Sequence, residues 1–296
     1  MNSDERLARA YLTTVDSLDD NCLRQLAARH GVLGAAELVA HAGTRPVDWE
    51  LTACRLLDRA RRHDSRFLTP DDDEWPSTVG RDSAGFGLWV TGRGQLGPLL
   101  RQAVVVLGSV RPTPYAARVA ATLAQDLTAA GRTIVTSGAP GVPGAVLRGT
   151  LAADRPMVAV PAGGALTPRP VLHSRLFRRV TYRGLIVHRT ADQPADRNAR
   201  FARQSRLLAA AASAVVLIEP EHGTLASAVA EQATRIGRPV FAVPGPVLTR
   251  TADNPAPAEY AHQLIRDHTA RLVRGADDIL TDLADPGALA GASGSR

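Results

Sequence analysis

Between Leu88 and Val243 the chain repeats one pattern. Short apolar, β-branched runs alternate with longer segments whose apolar residues recur at helical spacing. The runs are AVVVLGS (103–109), RTIVTSG (132–138), PMVAVPAGG (156–164), GLIVHR (184–189), AVVLIEP (214–220) and RPVFAVPG (238–245). Alanine-rich stretches such as YAARVAATLAQDLTAAG and ASAVAEQATRIG lie between them. Strands that are apolar at nearly every position belong to a parallel sheet covered on both faces by helices. The pattern predicts an α/β fold: a Rossmann-like, doubly wound, mostly parallel sheet of about six strands. Residues 1–66 read differently, as helices only, with Gly31 and Gly43 placed where helices end. The expected organisation is a small all-helical domain (1–66), a linker rich in Asp, Pro and Gly (67–87), a Rossmann-like domain (88–284) and a disordered tail (285–296).

A sheet of this kind binds ligands outside the carboxyl ends of its strands. Four strands end in small or glycine-rich turns, at Gly108-Ser109, Ser137-Gly138, Gly163-Gly164 and Pro244-Gly245, and these are expected to line one edge. In the first turn Gly108 lets backbone approach, Ser109 and Thr113 offer hydroxyls, and Arg111 adds charge ahead of a helix beginning near Pro114. A helix N-terminus favours anions. The same residues also suit a plain strand–helix turn with Thr113 as its N-cap. The second turn, TSGAPGVPG, contributes Ser137, Gly138 and Gly141; the third, EHGTLASA, contributes Gly223 and Thr224. Three such turns on one edge point to a phosphate-bearing ligand. No G-x-G-x-x-G dinucleotide spacing, Walker A, G-x-S-x-G or H-E-x-x-H sequence is present, so no catalytic residue and no cofactor is assigned. Glu219 ends an apolar strand, where a carboxylate can cap or bind backbone amides.

Charge sharpens the ligand. Net charge is +6, and all 35 basic residues are arginine, whose planar donors suit phosphate and whose face stacks on bases. Nine arginines and two acids lie between Arg175 and Arg206, and Arg197, Arg200, Arg203 and Arg206 recur every third residue. That run is either a solvated basic face or a track for a phosphate backbone, with Phe201 available for a base. Cys22 and Cys54 match no metal spacing, and the carboxylates of Asp71–Glu74 read as solvated, so no metal is expected. No run approaches the roughly 20 apolar residues of a membrane span, and the charged N-terminus is unlike a secretory signal. A cytoplasmic location and no membrane partner are the expectation.

Taken in order, several blocks resemble the DprA/Smf family of DNA-processing proteins. GLWVTGRGQLGPLL resembles the family's entry into the sheet, and VVVLGSVRPTPYAARVAATLAQDLTAAGRTIVTSGAPG its first βαβ unit. RFARQSRLLAAAASAVVLIE, GTLASA, GRPVFAVPGPV and LIRDHTARLVRGADDIL follow in the family's order. The resemblance spans roughly residues 5–284. It implies a Rossmann-like domain behind a sterile-alpha-motif or helix-hairpin-helix module, binding of single-stranded DNA, a homodimer, and loading of the RecA recombinase during natural transformation. On that basis Gly108, Ser109, Arg111, Thr113, Ser137, Gly138, Gly141, Arg203, Arg206, Gly223 and Thr224 are the expected DNA and phosphate contacts of a protein that is not an enzyme. The chain departs from the family at several places. Val110 stands where the family has Arg, with Arg111 one step later. Gly141-Val142-Pro143 replaces Gly-Ile-Asp, and Gln204-Ser205-Arg206 replaces Arg-Asn-Arg. Two other readings accompany this one: a Rossmann-type nucleotide binder or nucleotide hydrolase using Gly223-Thr224 and Glu231, and a paralogue kept as a protein-interaction module.

Overall fold

The computed structural model describes residues 2–16, 18–42, 46–191, 197–246 and 256–285. Gly43 and the tail after Asp285 lie outside them. Eleven strands form among the described residues: β1 Ser65–Leu68, β2 Leu88–Thr91, β3 Ala103–Gly108, β4 Thr133–Thr136, β5 Met157–Ala159, β6 Ala162–Gly164, β7 Thr167–Arg169, β8 Leu185–His188, β9 Ala214–Ile218, β10 Val240–Val243 and β11 Arg271–Leu272. Nine make one sheet in the order β1-β2-β8-β5-β4-β3-β9-β10-β11. The strands from β8 to β11 in that order run parallel, with Val105 of β3 opposite Val135 on one side and Val215 on the other. Chain order reverses between β3 and β9, so the ligand crevice of a doubly wound sheet falls there. The antiparallel strands β1 and β2 extend the far side, with Phe67 opposite Trp89.

The sheet is covered on both faces because its strands are apolar on both. Val104 and Val106 point into a core completed by Leu123 and Leu127 of helix Pro114–Ala129, Val146 and Leu147 of helix Val142–Ala152, and Phe177 of helix Ser174–Arg183. Val105 and Leu107 point the other way, onto Leu207 and Leu208 of helix Arg197–Ala210 and Val229 of helix Leu225–Arg235. The six runs read from the sequence are β3, β4, β5, β8, β9 and β10. The third is shorter than expected. β5 stops at Ala159, and Ala162–Gly164 leaves the sheet to form a two-stranded ribbon with β7. Gly163 makes that turn at φ 93°, where a Cβ would lie 2.4 Å from the Thr167 carbonyl oxygen.

Ahead of the sheet lie helices Ser3–Leu12, Asp20–Ala42 and Trp49–Arg62, the second broken at Gly31 (φ 74°, ψ 170°) as its glycine implied. Tyr11, Leu12, Leu23, Ala36, Trp49 and Ala53 give them a core of their own. The stretch 67–87, expected as a linker, is held in place. β1 takes its first two residues. The Asp72 carboxylate accepts from Arg6 at 2.9 Å and from the Thr69 N–H at 2.6 Å. Glu74 accepts from Arg66 at 2.9 Å and from the Leu96 N–H at 2.9 Å. Burial would raise the Asp72 carboxyl, but the Thr69 amide and the Arg6 guanidinium outweigh it and hold the group below the usual range. Fully buried Trp89 packs at a tilt against Phe67 and donates its Nε1–H to Thr13 at 3.1 Å, tying helices to sheet.

Candidate nucleic-acid interface at the carboxyl edge of the sheet

Three turns meet at the switch between β3 and β9. At Gly108 a Cβ would fall 1.8 Å from the Ile218 carbonyl oxygen, so only glycine lets the end of β3 lie against β9. Gly141 is at φ 78°, and its Cβ would fall 2.3 Å from the Ser109 carbonyl. That carbonyl accepts the Val142 N–H at 2.9 Å, so the second turn packs directly on the first. Gly223 has φ 68° with open space beside it, so backbone conformation rather than close approach selects glycine there.

The first turn is built around carboxylates from the end of β9. Thr113 is the N-cap of helix Pro114–Ala129, and its hydroxyl accepts the Ala116 N–H at 3.2 Å. Its own N–H and O–H donate to Glu219 at 2.9 and 2.6 Å. Glu219 is buried and sits at φ 46°. Ser109 Oγ donates to Glu221 at 2.6 Å and accepts the Arg111 N–H at 3.0 Å. A helix N-terminus attracts an anion, and here the chain supplies one. This corrects the expectation for Ser109 and Thr113: both are buried, and their donors are engaged by Glu219 and Glu221, which leaves them nothing to offer an outside phosphate. Arg111 remains exposed beside Val110, which is 48 % exposed.

The second turn is also inward-looking. Ser137 is buried, and its hydroxyl accepts the Ala139 N–H at 3.4 Å. Gly138 (φ 67°) lies under the Phe177 ring, and its carbonyl bonds His173 Nδ1 at 2.8 Å. These two residues shape the edge, whereas Pro140 is exposed and Gly141 half-buried at its rim. In the third turn the Thr224 hydroxyl donates to the Glu221 carbonyl at 2.6 Å, and Ser227 Oγ accepts the Thr224 N–H at 3.1 Å. Thr224 therefore caps helix Leu225–Arg235. Gly223 is exposed.

Arg203 and Arg206 face the N-terminal helices. Arg203, only 7 % exposed, donates to Asp20 at 3.0 Å, to Asp16 at 3.0 Å and to the Val15 carbonyl at 3.0 Å. Arg206 reaches Asp20 at 3.2 Å, and Arg189 reaches it at 2.7 Å. Burial would raise the Asp20 carboxyl, but Arg189 and Arg203 overcome this and hold it below the usual range. A buried arginine engaged by two carboxylates cannot also follow a phosphate backbone, so Arg203 is not a DNA contact in this arrangement. The Arg197 side chain lies outside the described residues. Nearby, His188 is fully buried, and burial lowers its pKa to about 3, so the ring stays neutral. The acids Asp16 and Asp20 were the residues sequence reasoning missed; their only signal was an acidic cluster before a helix, which ordinary capping also explains. Among the described residues no group of three His, Cys, Asp or Glu is placed to hold a metal ion.

The family model for DNA recombination-mediator protein A matches residues 66–284. A DNA processing protein DprA described in Mycobacterium tuberculosis is 36% identical over 278 residues, covering 89% of this chain and 68% of the relative. Protein Smf of Escherichia coli is 28% identical over 223 residues, covering 74% of this chain and 57% of the relative. Among solved structures, DNA processing protein A from Streptococcus pneumoniae superposes with a TM-score of 0.70 at 19% identity, covering 95% of this chain and 98% of that one. DNA processing protein A from Helicobacter pylori, solved for its single-stranded DNA binding mode, gives 0.60 at 18%, covering 74% and 95%. With a doubly wound sheet, glycine turns gathered at its switch and matched blocks running through to Ala284, the chain belongs to the DprA/Smf family of DNA-processing proteins.

Proposed function

We propose that this protein binds single-stranded DNA at the carboxyl edge of its sheet and takes part in DNA processing without catalysis. The observation that carries the reading is the exposed Arg111 at the switch between β3 and β9, on a turn whose shape is already set by Glu219 and Glu221. Because the chain's own carboxylates occupy the buried donors, contact with a phosphate falls to the rim: the Arg111 side chain and the backbone of the Gly141 and Gly223 turns. Such contacts track backbone and leave base identity unread. The relative from H. pylori, whose structure describes single-stranded DNA binding, supports the ligand class.

Fluorescence anisotropy with single-stranded and duplex oligonucleotides tests this directly. Preference for the single strand is expected, with log K falling by about 0.7 per phosphate contact for each log unit of salt. A flat salt response removes the phosphate reading. Self-association into a homodimer and delivery of RecA to the bound strand complete the proposal, and light scattering and RecA filament assembly on protein-coated DNA test them. Incubation with nucleoside monophosphates should release neither free base nor phosphate. Steady turnover abolished by Glu231→Gln would replace the binding reading with nucleotide hydrolysis.

A further inference from the structure

Helix Ser174–Arg183 carries four arginines and no acidic residue. Phe177 and Val180 are buried against the sheet. Arg175, Arg178, Arg179 and Tyr182 follow the spacing i, i+3, i+4, i+7 on the opposite face, and all four are exposed, Tyr182 by 67 %; one Arg179 nitrogen donates to the Leu151 carbonyl at 3.4 Å. Exposed Arg155 stands on one side of this stripe. On the other, the Arg93 guanidinium lies 5.1 Å from the centre of the Tyr182 ring. A groove runs along each flank, and Arg178 and Tyr182 border both. Two acids border these grooves: Asp154, which Arg183 engages at 2.9 Å, and exposed Asp64 on the side of Arg93. The helix starts at the carboxyl edge. Phe177 covers Gly138, and His173, just ahead of the helix, bonds the Gly138 carbonyl. From there the stripe runs about 10 Å along the helix at 1.5 Å per residue.

We infer that this stripe carries a single strand onward from the carboxyl edge, with phosphates on Arg175, Arg178 and Arg179 and a base stacked at Tyr182. The inference rests on the single-stranded DNA reading above. Each of the three guanidinium groups can take one phosphate. An acidic protein segment would use chiefly the guanidinium groups, whereas a strand uses these for its phosphates and the exposed ring for a base.

The test is anisotropy with a short oligothymidylate that the edge alone can seat and with one several times longer. The variant Arg175→Gln/Arg178→Gln/Arg179→Gln should bind the short strand as the parent does and the long strand at least tenfold more weakly. Its long-strand salt slope should be shallower by about 2. Tyr182→Ala should weaken the long strand and Tyr182→Phe should not. Arg55→Gln/Arg62→Gln/Arg101→Gln makes the same charge change elsewhere, and thermal melts confirm that each variant is folded. If the stripe variant and this control bind the long strand equally, the inference is overturned while edge binding stands. If the stripe variant loses polyglutamate but keeps the long strand, the surface belongs to an acidic protein partner and the inference is likewise overturned. If the parent protein binds neither strand, both the edge reading and this extension fail.

Discussion

Two helices carry most of the arginine between Arg175 and Arg206, and they use it in opposite ways. In Arg197–Ala210, Arg203 is buried and both it and Arg206 are paired with acids of the N-terminal region, Asp20 and, for Arg203, Asp16 as well. In Ser174–Arg183, Arg175 and Arg178 are exposed, and Arg183 alone has an acidic partner, also at the surface. The first set joins two parts of the protein; the second is available to a polyanion. Arginine spacing does not separate them, since both helices present arginines every three or four residues. What separates them is Asp20, which meets Arg189, Arg203 and Arg206 across more than 160 residues of sequence.

The sharpest way to break the comparison is to remove that acid. Asp20→Ala should lower stability by about 3–5 kcal/mol, because it strands buried arginine charge. Chemical denaturation measures the loss, and limited proteolysis should release the N-terminal helices first. Acid should act in the same direction. The Asp20 carboxyl lies below its ordinary pKa in the folded protein, so the unfolded state binds more protons. Its stabilisation is therefore complete above the ordinary carboxyl pKa and is lost as pH falls through the folded value. Stability should hold between neutral pH and about 5 and decline below about 4.

The next effect separates shape from contact at the switch. Glu219→Ala leaves the Thr113 N–H and O–H buried without an acceptor and should cost about 1–3 kcal/mol of stability. Arg111→Ala should leave the melting temperature unchanged and weaken oligonucleotide binding about tenfold, the equivalent of about 1.4 kcal/mol and near the lower end for a hydrogen bond to a charged group. Loss of stability in Arg111→Ala, or unchanged binding, would reverse the roles assigned to these two residues. The smallest effect is expected at the surface pair Arg183–Asp154, both partners more than half exposed. Arg183→Ala should change stability by less than about 1 kcal/mol.

Much of the sheet was legible because it is written locally. A run such as Val104-Val105-Val106-Leu107, repeated between helical segments, suits a strand covered on both faces. The glycines at 108 and 141 mark close approaches of backbone that any side chain would block. The edge strand β1 escaped notice because Ser65-Arg66-Phe67-Leu68 is short and mixed, and its partner β2 lies at least 20 residues further along the chain. The stretch 67–87 looked like a linker because Asp, Pro and Gly dominate it. Arg6 and Arg66 instead bind two of its acids.

By itself, then, the order of apolar and glycine residues determined a doubly wound sheet and the edge where its turns collect, since each follows from neighbours within a few residues. Only the tertiary structure decided which donors and cations remain free for a ligand. Glu219 and Glu221 take the hydroxyls of Thr113 and Ser109 across more than 100 residues, and Asp20 takes Arg203 across 183. The strength of such a charge contact depends on distance and burial in space, and separation along the chain encodes neither.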